Sequence, residues 1–121
     1  MALNFVLTAA TGSGKPGLVQ VTGSLTLGPR LLEFGKSLAE HLSSAAEPGV
    51  IIDLSGVHDV DSAGLGELVI LYTTAGQHGR RLCLLNPSPR IIKLLEMTRL
   101  SGILPHFARE STAVGWLTGT G

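Results

Sequence analysis

Asp61-Ser62 stands where a short apolar run has ended and a helical pattern is about to begin. A hydroxyl at such a place can do two kinds of work. It can accept a hydrogen bond from an orphan backbone N–H and cap the helix, a role Asp61 could fill equally. It can also carry a phosphate, because unpaired N–H groups and the positive end of the helix dipole tolerate negative charge there. A phosphoryl group adds about −1.5 to −2 charges. Asp59 and Asp61 already lie beside Ser62, so the surface would change from moderately to strongly acidic while the fold stayed intact. Gly64 and Gly66 follow, and their lack of side chains would let the helix pack closely on a sheet.

Other constellations fail on spacing. Gly12-Ser13-Gly14-Lys15 resembles part of a phosphate-binding loop. The early glycine of that pattern is replaced by Ala9, and Pro16 stands where a metal-binding hydroxyl belongs. The segment reads as a hairpin turn. The four histidines, His41, His58, His78 and His106, show no metal-ligand spacing with one another or with Cys83. There is no Gly-x-Ser-x-Gly elbow. Asp59 and Asp61 alternate along the chain as in a solvated turn. The sequence thus predicts no catalytic set, no metal site and no cofactor.

The elements that must position Ser62 follow from periodicity. Leu3 to Ala9 and Leu18 to Thr22 read as strands flanking the turn, and Gly23 to Gly28 as a loop. Pro29 suits a first helical turn. Leu31, Phe34, Leu38, Leu42 and Ala45 then form one apolar stripe, ended by Pro48-Gly49. Val50 to Leu54 reads as a strand buried on both faces, running into a loop that ends at Asp61. Leu65, Leu68, Val69 and Tyr72 share a side of the next helix, and Gly76 and Gly79 bracket its end. Arg81 to Leu85 is a strand. Ser88-Pro89 starts a helix carrying Ile91, Ile92, Leu94, Leu95 and Met97. Ile103 to Phe107 reads as a last short strand and Ser111 to Leu117 as a last helix. The expected fold class is α/β, a mixed sheet of four to five strands whose later strands are parallel, with amphipathic helices mainly on one face.

Bulk properties narrow the function. The 121 residues suit a single domain, 1–121, and 44% of them are hydrophobic, enough for a core without disulfides. The formal net charge is zero, so no basic surface favours nucleic acid. Cys83 is the single cysteine and sits in an apolar run, as a buried small hydrophobe would. A free thiol suits a reducing cytoplasm. No stretch has the apolar length of a membrane span, and the N-terminus lacks a secretion-signal pattern. Trp116, amid small residues, is expected to cap the core.

Three segments in order resemble the STAS family, the domains of sulphate transporters and anti-sigma factor antagonists. They are Val50-Ile51-Ile52-Asp53-Leu54-Ser55-Gly56-Val57, Asp61-Ser62-Ala63-Gly64-Leu65-Gly66, and Gly79-Arg80-Arg81-Leu82-Cys83-Leu84-Leu85-Asn86. Arg90-Ile91-Ile92-Lys93-Leu94-Leu95 and Leu100 follow the last. The resemblance spans about residues 17–107. It implies a phospho-acceptor at Ser62 and a partner-binding face of Thr26, Asp59, Asp61, Ser62, Ala63, Gly64, Leu65 and Gly66. It implies as partners an anti-sigma factor with serine kinase activity, which supplies the ATP, and a serine phosphatase. Homodimerisation is compatible with it. Two departures redistribute the charge near the switch. Gly23-Ser24-Leu25-Thr26 lacks the acids often found after the second strand, and Asp59 replaces a frequent aromatic residue. The family also contains unphosphorylated docking modules of transport or sensory assemblies, the competing implication. A small-molecule sensor is a third reading, for which no sequence feature argues.

Overall fold

A computed structural model describes residues 2–8, 15–44 and 47–119. Gly12, Ser13 and Gly14 of the expected hairpin turn lie outside these residues, as do Ala9 and Ala45. The elements are β1 (Asn4–Thr8), β2 (Gly17–Leu25), α1 (Pro29–Ser44), β3 (Gly49–Val60), α2 (Ser62–Gln77), β4 (Arg81–Leu85), α3 (Pro89–Met97), β5 (His106–Phe107) and α4 (Glu110–Thr118). The five strands form one sheet in sequence order. β1 runs antiparallel to β2, and β2 to β5 are parallel.

The apolar run of β3 feeds two cores because successive side chains point to opposite faces. Val50, Ile52 and Leu54 join Leu82 and Leu84 under α1, α2 and α3, while Ile51 joins Cys83 and Leu85 under α4. Three helices therefore cover one face and one helix the other. The α1 stripe is buried at Leu31, Phe34, Leu38 and Leu42. Phe5 of β1 meets the edge of Phe34 at 5.4 Å between ring centroids. The α3 cap is as expected: Ser88 Oγ accepts from the Ile91 N–H, with Pro89 at the first turn. Met97, placed on the α3 stripe by its spacing, is instead 69% exposed. Trp116 is half-buried against Phe107, with the Arg81 guanidinium over its ring.

Two expected loops are strand. Ser55 to Val60 continues β3, and Gly23 to Leu25 continues β2, so that Ser24 stands opposite Asp59 and Leu25 opposite Val60. Register shifts on either side of Thr22 and Gly23 accommodate the irregularity. Gly23 has φ +91°, and a Cβ there would lie 2.1 Å from the Ala2 carbonyl oxygen. Only glycine permits both that conformation and that approach. The last strand is shorter than expected, with only His106 and Phe107 paired to Leu84 and Leu85.

Candidate functional site

The parallel pairing of β2 and β3 brings both strands to the same end of the sheet at Leu25 and Val60. The chain leaves β2 through Thr26 and Leu27 and leaves β3 through Asp61 and Ser62. Asp61 ties these exits together. Its backbone is extended, with φ −108° and ψ −177°, which aims the side chain at the start of α2. One carboxylate oxygen accepts from the Gly64 N–H at 2.9 Å and caps the helix. The other accepts from the Leu27 N–H, also at 2.9 Å. The Asp61 N–H reaches the Leu25 carbonyl at 3.4 Å. The Leu27 N–H above all, then that of Gly64, hold the Asp61 carboxyl below its usual pKa.

Ser62 is therefore not the cap. It is the first residue of α2, exposed, and its hydroxyl forms no hydrogen bond with the described residues. Gly64 and Leu65 are buried, and Ala63 is half-buried. A Cβ on Gly64 would lie 1.9 Å from the Leu25 carbonyl oxygen, so this glycine is what lets α2 approach β2. Gly66 is exposed with open space around it, so close packing on the sheet does not explain it. The packing expectation is correct for Gly64 and wrong for Gly66.

Of the eight residues proposed for a partner face, Asp61, Ser62 and Gly66 are exposed, and Thr26 and Asp59 are half-buried beside them. Gly64 and Leu65 shape the site from below. Asp59 is not a bare acid: Arg90, at the start of α3, pairs with it at 3.2 Å. That contact offsets part of the acidity read from the sequence. Sequence reasoning missed Arg90 because 31 positions separate the partners in the chain. It also missed Leu27, which is 77% exposed yet held by Asp61. A lone leucine in a Gly-Pro turn belongs to no stripe and gives no periodic signal. Glu67, one turn further along α2, covers Gly35 of α1, and burial pushes its carboxyl pKa up.

No group of three or more His, Cys, Asp or Glu side chains among the described residues is arranged to hold a metal ion. No described helix is long and apolar enough to cross a membrane.

Comparison with known proteins assigns this architecture. The STAS domain model matches residues 29–113, and the chain belongs to the STAS domain family. The fold is similar to that of the anti-sigma factor antagonist SpoIIAA in its unphosphorylated form, with a TM-score of 0.78 at 21% identity over 96% of this chain and 97% of that one. An anti-sigma factor antagonist from Mycobacterium paratuberculosis superposes with a TM-score of 0.77 at 18% identity, over 96% and 94% of the two chains. The murine anion transporter Slc26a9 contains the same fold, with a TM-score of 0.72 at 19% identity. There the match covers 91% of this chain and 19% of the transporter. At these identities the likeness is one of fold.

Proposed function

We propose that this chain is an anti-sigma factor antagonist, a binding protein rather than an enzyme, switched by phosphorylation at Ser62. The unmodified face of Thr26, Asp59, Asp61, Ser62, Ala63, Gly64, Leu65 and Gly66 binds an anti-sigma factor that is also a serine kinase. That partner phosphorylates Ser62 with its own ATP and is released, and a serine phosphatase resets the cycle in the bacterial cytoplasm. The observation that carries this reading is the Ser62 hydroxyl, exposed at the first position of α2 with no hydrogen bond to the described residues, while Asp61 does the capping. A side chain with no structural duty can be modified without unfolding the helix. The positive helix end favours the added phosphate locally. Its charge, beside Asp61, repels a partner fitted to the bare face.

The test is incubation with candidate anti-sigma kinases and ATP, followed by mass spectrometry and binding assays. Phosphate is expected on Ser62 and nowhere in Ser62→Ala. Ser62→Asp is expected to keep its circular dichroism and lose the partner. Binding that is indifferent to Ser62→Asp, with no kinase able to modify Ser62, would reject the switch. The same fold within an anion transporter supports the alternative, a docking module that is never phosphorylated. In that case both Ser62 variants bind as the unaltered protein does.

A further inference from the structure

At the opposite end of the sheet from Ser62, α2 and α4 flank the start of β4. β5 pairs only with Leu84 and Leu85, so no strand of the sheet covers the outer side of Arg81 to Cys83. A groove of about 460 Å³ lies there, lined by Tyr72, Thr73, Gly76, Arg80, Arg81 and Trp116. That volume is in the range of small-molecule sites. We propose that this groove binds a small aromatic compound ending in an oxyanion, a phosphate or carboxylate, independently of the Ser62 face.

The argument rests on how the two arginines are held. Arg80 Nε donates to the Glu47 carbonyl at 3.1 Å, and Arg81 Nη1 donates to the Trp116 carbonyl at 2.7 Å. The Arg81 guanidinium also lies over the Trp116 ring, 5.1 Å from its centroid. These contacts fix both planar heads while using one N–H of each, and a guanidinium carries five. Neither arginine has a carboxylate at ion-pair distance among the described residues, whose ion pairs are Arg30–Glu33, His41–Glu47 and Arg90–Asp59. Two anchored guanidiniums that line one groove without a counter-ion leave N–H donors of the kind that recognise phosphate and carboxylate. The rest of the wall is suited to a ring. Tyr72 and Trp116 are half-buried aromatics, and Gly76 has open space where a Cβ would stand. The Tyr72 hydroxyl has no hydrogen bond to the described residues, so it is free to donate to the bound oxyanion.

Titration of the whole protein with phenyl phosphate tests this, followed by calorimetry and by the emission of Trp116, the single tryptophan. Saturable binding is expected, at least about tenfold tighter than inorganic phosphate, which lacks the ring, and than phenol, which lacks the oxyanion. Arg80→Gln and Arg81→Gln, with circular dichroism unchanged, are each expected to weaken it about tenfold or more. Lys93→Gln, on exposed α3 surface, is expected to leave it unaltered. Calorimetry decides the Arg81 variant, because that change alters Trp116 emission directly. No saturation below about 10 mM, a range weaker than small-molecule sites normally show, overturns the proposal. So does phenol binding equal to phenyl phosphate, or an Arg80→Gln affinity equal to that of the unaltered protein.

Discussion

The same substitution made two residues apart on α2 is expected to have opposite effects. In Gly64→Ala the new methyl would lie 1.9 Å from the Leu25 carbonyl oxygen and 2.8 Å from its carbon. Both are backbone atoms of β2, a strand paired on both sides, so they cannot swing away as the end of a side chain would. Relief requires the first turn of α2 to move outward by about 1 Å or more, and forced repacking of this kind typically costs about 1–3 kcal/mol, occasionally more. The gain in helix propensity on replacing glycine is only about 1 kcal/mol. Because the obstacle is backbone, the upper part of the repacking range applies, and a net loss of about 2 kcal/mol is expected. In Gly66→Ala the methyl meets nothing within 4 Å, so the propensity term stands alone. A gain of about 0.5–1 kcal/mol follows. For a chain of this length each kcal/mol shifts the melting temperature by roughly 4 °C. Thermal and urea unfolding should therefore separate the two variants by about 10 °C, on either side of the unaltered protein. A Gly64→Ala protein as stable as the original would refute the claim that this glycine sets the distance between α2 and β2.

Three further outcomes are expected. Cys83 is fully buried and burial pushes its thiol pKa up to about 12, so a thiol-specific chromogenic disulfide at pH 8 should label it only on unfolding; rapid native labelling would contradict its place under α4. Burial raises the Glu67 pKa above 4.5, so folding takes up a proton there and that stabilising contribution is lost as pH rises through the folded pKa; Glu67→Gln should be more stable than the unaltered protein at pH 7, an advantage that shrinks towards pH 4 in urea titrations. Asp61 has the opposite sign: its folded pKa lies below 3.8, so its contribution is present above the unfolded value and is lost as pH falls through the folded one. Asp61→Ala should accordingly show a shallower loss of stability below about pH 4 and faster exchange of the Leu27 and Gly64 amides by NMR.

Periodic and punctuating signals made most of the fold legible. The α1 stripe, the apolar run opening β3 and the Ser88-Pro89 start of α3 each correspond to an observed element. The second halves of β2 and β3 were not legible, because Gly23, Ser55, Gly56, His58 and Asp59 have the composition of a turn. What makes these halves strand is the pairing of Thr22, Gly23, Ser24 and Leu25 with Gly56, Val57, Asp59 and Val60, far apart in the chain. Val57 and Val60 do carry a core pattern, 2% and 6% exposed, but at a spacing that the irregular register sets. The site divides in the same way. Asp61-Ser62 is a local signal and was readable. The Leu27 and Arg90 contacts are tertiary, and they alter what the local motif means: one fixes the cap, and the other offsets a neighbouring acid.

Gly66 lies one turn beyond Ser62, on an exposed part of α2, where a Cβ would meet nothing within 4 Å beyond the helix's own backbone and its chain neighbours. A protein visiting this corner can lay its own main chain almost flush with the helix, since no side chain props the two apart. The methyl that would firm up the helix would also act as a spacer against that visitor. Under the proposed partner switch, durability and close docking would thus be opposed at a single position.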